Sequence, residues 1–374
     1  MQAVEILEKL VSFPSVVSTP NTDIVAWIRS YLQNHGIAVT LLPGPEGDRS
    51  NLFATIGPKE VPGYILSGHM DVVPAAESGW TGDPFRVRQE AGRLYGRGAT
   101  DMKGFLAAAL AVAPKLADMH LRRPLHLAFS YDEEAGCRGV PHMIARLPEL
   151  CATPLGAIIG EPSSLHAIRA HKGKAAARLT VKGRSGHSSR PEMGLNAIHA
   201  IASVFARAIG EADRLSRGPF EHVFEPPYSS LQIGTVKGGQ AVNIIPDTCE
   251  AEFEARAISG VDPAELLAPM REAAEALSER GFEVEWQELS SYPALSLGPD
   301  APLARLLEEL TGLESLPAVS YGTEAGLFQR AGIDAIICGP GEIGRAHKPD
   351  EFILVDELLA CQAMIERLGE CCRA

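Results

Sequence analysis

The stretch GPGEIGRAHKPDE, residues 339–351, decides between two folds. Gly339, Gly341 and Gly344 have the G-x-G-x-x-G spacing of a dinucleotide-binding loop, whereas His347, bracketed by Gly344 and Pro349, has the placing of a metal ligand held out on a turn. A dinucleotide fingerprint opens a helix and is followed ~20 residues on by an acid that binds ribose. Here Pro349 follows soon after the third glycine, no helical pattern starts at Gly344, and the loop lies near the C-terminus. The metal-ligand reading is favoured, with the glycines letting the chain fold back so that His347 faces its site. An NAD-dependent oxidoreductase is the alternative from a different class. It would bind nicotinamide and be indifferent to chelators.

Working outward from this loop, short apolar runs alternate with helical patterns, which points to βαβ units and a mostly parallel sheet. Candidate buried strands are Tyr64–Ser67, Leu125–Tyr131, Ala157–Ile159 and Ala335–Cys338; 104–116 and 356–368 read as helices. In such sheets ligands bind outside the carboxyl ends of the strands. Each strand is followed at once by groups able to hold a metal: Gly68-His69-Met70-Asp71, then Asp132-Glu133-Glu134, then Gly160-Glu161-Pro162, then the loop with His347. Asp101 adds a fifth loop, in the Gly-rich turn GRGATDMKG before a helix. A single histidine or a Glu-Glu pair is ordinarily a solvated or structural feature. The argument is their convergence on one sheet edge, with more ligands than one metal needs. Imidazole with carboxylate suits zinc and its neighbours, and two ions sharing a bridging carboxylate would use the whole set. Asp71, two residues beyond His69 on an extended segment, is placed to orient that ring. Adjacent side chains diverge, so the residues alone do not separate the roles of Glu133 and Glu134.

The middle of the chain reads differently. Residues 175–182 alternate like a half-exposed strand, 195–209 is amphipathic, and 231–236 and 249–258 are again strand-like. Flanked by α/β patterns, this part reads as an inserted α+β domain, residues 175–288, in a first domain of residues 1–174 and 289–374. A length of 374 residues fits two cores.

The net charge of −13 argues against nucleic acid as a partner. The most hydrophobic stretch, 105–114, is too short to span a membrane. Glu5 and Glu8 stand where a signal peptide would be basic, and Val4, Leu7 and Val11 share one helical face. Seven scattered cysteines include no C-x-x-C pair, which fits a reducing cytoplasm.

SGHMD, GRGATDMKG, DEE, GEP and GPGEIGRAH together resemble the di-zinc aminoacylase and carboxypeptidase family, peptidase family M20, in the right order and over essentially the whole chain. The resemblance implies a zinc-peptidase-like catalytic domain with an inserted dimerisation or lid domain, and two zinc ions for which cobalt can substitute. By it, Asp101 bridges the ions, His69 and Glu161 complete one, and Glu134 and His347 the other. Glu133 becomes the general base and Asp71 the orienting residue. It further implies a cis peptide between Asp101 and Met102. In the inserted domain it makes His187, within GRSGHSS, the group that a partner subunit lends to polarise the scissile carbonyl. Asn243 and Arg256 become the grip on the substrate's α-carboxylate. The implied activity is hydrolysis of an N-acyl amino acid by a homodimer, with N2-acetyl-L-ornithine favoured over N-succinyl-diaminopimelate or a dipeptide. A cationic side chain needs an acid outside the metal set, and Glu324 is the expected one; the competing reading is that Glu324 favours the start of a helix.

Overall fold

The structure, a computed structural model, describes residues 1–373. The chain divides into two compact units, one of residues 1–170, 295–318 and 323–374, the other of residues 171–294 and 319–322.

The first unit is built on a six-stranded sheet. Its strands lie in the order Ala38–Pro43, Ser50–Ile56, Leu125–Ser130, Tyr64–His69, Gly156–Pro162, Ala335–Gly339. The last four run parallel to one another, while strand 50–56 is antiparallel to both of its neighbours, so the sheet is mainly parallel. The strands at 125–130, 156–162 and 335–339 are buried along their length, as expected of strands covered on both faces. The antiparallel strands 38–43 and 50–56 end without a ligand-type residue.

Helix Lys103–Asp118 has a nearly continuous buried surface, and its alanines let helices Ala3–Val11 and Val355–Arg373 pack closely on it. Against the sheet the fit is tighter still: a Cβ at Gly160 would sit 2.0 Å from the Phe105 ring, so only glycine admits this approach.

The second unit is a four-stranded antiparallel sheet, ordered Ser230–Gly238, Thr248–Ala257, Gly173–Lys182, Glu283–Tyr292. One face alternates into a core with helices Ala197–Leu215 and Pro263–Glu275; the other carries charged side chains. Its strands Gly173–Lys182 and Glu283–Tyr292 run past the positions 175 and 288. Hydrophobic alternation fades at strand ends where polar residues still pair, so the sequence pattern stops short of the hydrogen-bonded ladder. Among the described residues no helix is long and apolar enough to cross a membrane, and all seven cysteines are free.

Candidate active site

The parallel strands bring their carboxyl ends to one edge, and the chain leaves each of them bearing a charged or imidazole side chain. His69 is the last residue of its strand and is 1 % exposed. Its Nδ1 lies 2.8 Å from the backbone oxygen of Asp71 and its Nε2 lies 3.0 Å from Asp101 Oδ1. A carbonyl can only accept, so Nδ1 carries the proton and the lone pair of the neutral ring is on Nε2. That nitrogen is also 3.7 Å from Glu161 Oε1, at the end of the neighbouring strand.

Asp101 turns its second oxygen elsewhere. Oδ2 is 3.2 Å from His347 Nε2, which is 2.9 Å from Glu134 Oε1. One carboxylate therefore faces two imidazoles, one through each oxygen. The peptide joining Asp101 to Met102 is cis, as the family resemblance implies.

The opening loop folds back so that His347 faces Asp101 and Glu134. A Cβ at Gly339 would meet Gly160 O at 2.0 Å, and Gly341 has φ of 80°. Gly344 lies in a single turn of 3₁₀ helix, 343–345, that does not continue. His347 itself adopts a left-handed φ of 58°, uncommon outside glycine.

Asp71 orients His69 with its carbonyl rather than its side chain, whose Oδ1 is 3.7 Å from Nδ1. The carboxylate instead accepts the backbone N–H groups of Glu133 and Glu134, each at 3.1 Å. It thus fixes the turn that presents both glutamates. Glu133 Oε1 accepts a hydrogen bond from the Cys137 thiol at 3.3 Å, and Cys137 is buried in a left-handed conformation. His69, Glu133 and Glu161 offer ligand atoms close enough for one ion, and so do His69, Asp101 and Glu134. Geometry alone leaves Glu133 eligible as a ligand.

The electrostatics express an excess of acid. Burial, reinforced by Glu134, raises Asp71 to about 6 despite His69, and burial with the neighbouring carboxylates raises Glu133 to about 8. Glu161 is pushed well above the usual carboxylate range by burial and then by Asp101. Burial would raise Asp101 too, but hydrogen bonds from His347 and His69 outweigh it and hold this carboxyl well below its usual value. His347 is raised to about 10 by its bonds to Asp101 and Glu134. Burial lowers His69, and the carboxylates around it more than reverse this. In both rings protons take the place of positive charge that the acids demand. Two imidazole nitrogens and several carboxylates within a few ångströms suit divalent zinc or a close neighbour.

Glu324 stands at a helix start, as the competing reading expects. Its side chain makes no capping bond to that helix, Ala325–Arg330. It is 1 % exposed and accepts hydrogen bonds from Ser67 Oγ (2.5 Å) and Ser130 Oγ (2.8 Å), on two central strands. Both carboxylate oxygens are thus held by the two serines. Sequence spacing gave no sign of this, because the serines lie 257 and 194 positions away.

In the second unit, His187 pairs with Ile244 in a two-residue ladder and is exposed. Its Nδ1 accepts the Ser189 N–H at 3.2 Å, with the Ser189 hydroxyl at 2.7 Å. Because a backbone N–H only donates, the neutral ring carries its proton on Nε2, where it can be given to a ligand. Asn243 is exposed, and its backbone oxygen accepts from Ser188 N, beside His187. Arg256 is half-buried, with Nε 2.9 Å from Glu254 Oε1.

The description "Peptidase family M20/M25/M40" matches residues 65–370. Acetylornithine deacetylase of Photorhabdus laumondii is 33 % identical, covering 94 % of this chain and 92 % of its own. That of Proteus mirabilis is 34 % identical, with coverages of 94 % and 91 %. Among solved structures, an M20 family metallo-carboxypeptidase from Sulfolobus solfataricus superposes with a TM-score of 0.81 at 18 % identity, covering 100 % of this chain and 99 % of that one. A tripeptidase from Staphylococcus aureus gives 0.75 at 20 % identity, with coverages of 100 % and 98 %.

Proposed function

Since the chain belongs to peptidase family M20/M25/M40 and is a hydrolase of that family, we propose that it is a homodimeric amidohydrolase that removes the acetyl group from N2-acetyl-L-ornithine. The observation that carries the metal part of this reading is Asp101, whose two oxygens address two separate imidazoles. We assign His69 and Glu161 to one zinc ion, Glu134 and His347 to a second, and Asp101 to both. Bound there, the ions would supply Lewis-acid polarisation of the amide carbonyl and a water acidic enough to attack at neutral pH.

The remaining chemistry belongs to side chains. Glu133, pushed up to about 8, is suited to take a proton from the attacking water and return it to the leaving α-amine. The C–N bond breaks, one water is consumed, and acetate and the free amino acid leave. Cys137 holds one oxygen of the base, and Asp71 holds the turn behind it. His187, with its proton on Nε2, would donate to the developing oxyanion. We propose that it does so in the active site of the partner subunit. Support comes from the second unit, where strand 230–238 is an open sheet edge and Ile198, Ile209, Val236 and Val242 are exposed. Such an edge needs cover, and a second copy would provide it. Asn243 and Arg256 would receive the substrate α-carboxylate, for which a guanidinium fork is well shaped.

The acyl and amino-acid choice rests on the relatives named above. It is tested by measuring hydrolysis of N-acetylornithine against N-succinyl-diaminopimelate and a dipeptide, with metal content determined on the same sample. Acetate release should dominate. Faster desuccinylation or dipeptide cleavage would move the enzyme to a sibling activity.

A further inference from the structure

Two residues that the mechanism leaves unused, Arg97 of GRGATDMKG and Glu351 of HKPDE, form a buried ion pair directly behind the proposed metal ligands. Each is 1 % exposed, and Arg97 Nη1 is 2.9 Å from Glu351 Oε2. Glu351 Oε1 accepts the backbone N–H of Thr100 at 3.0 Å and that of Asp101 at 3.1 Å. Arg97 also donates to the carbonyls of Lys348 (3.4 Å) and Pro74 (3.2 Å) and pairs with Glu77. A last tie runs from Thr100 Oγ1 to Phe352 O at 2.5 Å. The segments joined in this way follow His69, contain Asp101 and follow His347.

We propose that Glu351 and Arg97 are positioning residues for the metal centre. Glu351 aims Asp101 by gripping its own N–H, and Arg97 couples that grip to the loop of His347. The pair is costly to bury, and that cost is offset in part: each Glu351 oxygen and both terminal nitrogens of Arg97 are engaged, while Arg97 Nε is buried without a hydrogen-bond partner among the described residues. This rests on the family reading of the metal ligands, and the experiment separates the two.

Full-length protein is stripped with a chelator and titrated with zinc(II) or cobalt(II), the heat of binding and the metal content both being recorded. Wild type should bind the cation. If it binds none, the metal reading itself fails. Glu351→Gln keeps the side-chain volume and removes the charge; it should stay folded by circular dichroism and bind the metal roughly 10–100-fold more weakly. Arg97→Lys, which keeps the charge and loses the fork, should weaken binding in the same direction. Folded variants with wild-type affinity would overturn the proposal. Should neither variant fold, amide hydrogen exchange on metal-free wild type decides. Thr100 and Asp101 should be protected before any cation is added, and free exchange there would show that no clamp exists.

Discussion

Replacing Asp71 by Asn should separate stability from catalysis, and the two effects can be sized from the site. In the metal-free protein burial raises this carboxyl from the ordinary 3.8 to about 6. At neutral pH a rise of that size costs the fold about 3 kcal/mol in keeping the group ionised. Asn removes this cost and also relieves Glu133, which Asp71 helps to raise. Against that, Asn has one acceptor oxygen where Asp71 has two, so the N–H of either Glu133 or Glu134 is left facing an amide N–H. An orphaned buried N–H costs about 1–3 kcal/mol. The opposing terms nearly cancel, so metal-free Asp71→Asn should be about as stable as wild type near pH 7.

The pH dependence carries the sign. The stability associated with protonated Asp71 is fully present below 3.8 and is lost as pH rises through about 6. The variant lacks that loss. Its stability relative to wild type should therefore improve by about 2 kcal/mol between roughly pH 4.5 and 7.5, read from urea unfolding of chelator-treated samples. Turnover with saturating zinc should nevertheless fall by roughly 10–100-fold, because the turn bearing the base and a ligand has lost one of its two anchors. Wild-type turnover, or a relative stability that does not move with pH, would refute the role given to this carboxylate.

Two further outcomes are expected. Glu133→Ala should retain its metal by direct analysis yet lose about 10²–10⁴ in kcat, the range of a general base; near-normal turnover would reassign the base. Glu133→Ala and His187→Ala dimers, each nearly inactive, should regain part of the wild-type rate when their subunits are exchanged, since one site then combines an intact Glu133 with the partner's intact histidine. Loss of an oxyanion donor costs roughly 10²–10³, so an exchanged mixture no faster than its parents would place His187 within its own subunit or outside the reaction.

Local order was legible without coordinates. A run of apolar residues with strand-forming side chains, ended by His69, by Asp132-Glu133-Glu134 or by Glu161, announces both a buried strand and what its end presents, because a strand's exit point is set by neighbouring residues. The same locality made Gly173–Lys182 and Thr248–Ala257 visible as alternating strands. The antiparallel strands 38–43 and 50–56, with no ligand at their ends, were not marked by the same signal. What the tertiary structure alone decided are contacts between segments far apart in sequence. Asp71 meets Glu133 and Glu134 only because strands 64–69 and 125–130 lie side by side. Glu324 is enclosed by serines from those same two strands, a setting its neighbours along the chain do not announce. Arg97 and Glu351, 254 positions apart, are each unremarkable in sequence and become a buried pair only when their loops meet. A side chain's neighbours along the chain set its direction, but its hydrogen-bond partners and its exposure are set by whichever distant strand or loop packs against it.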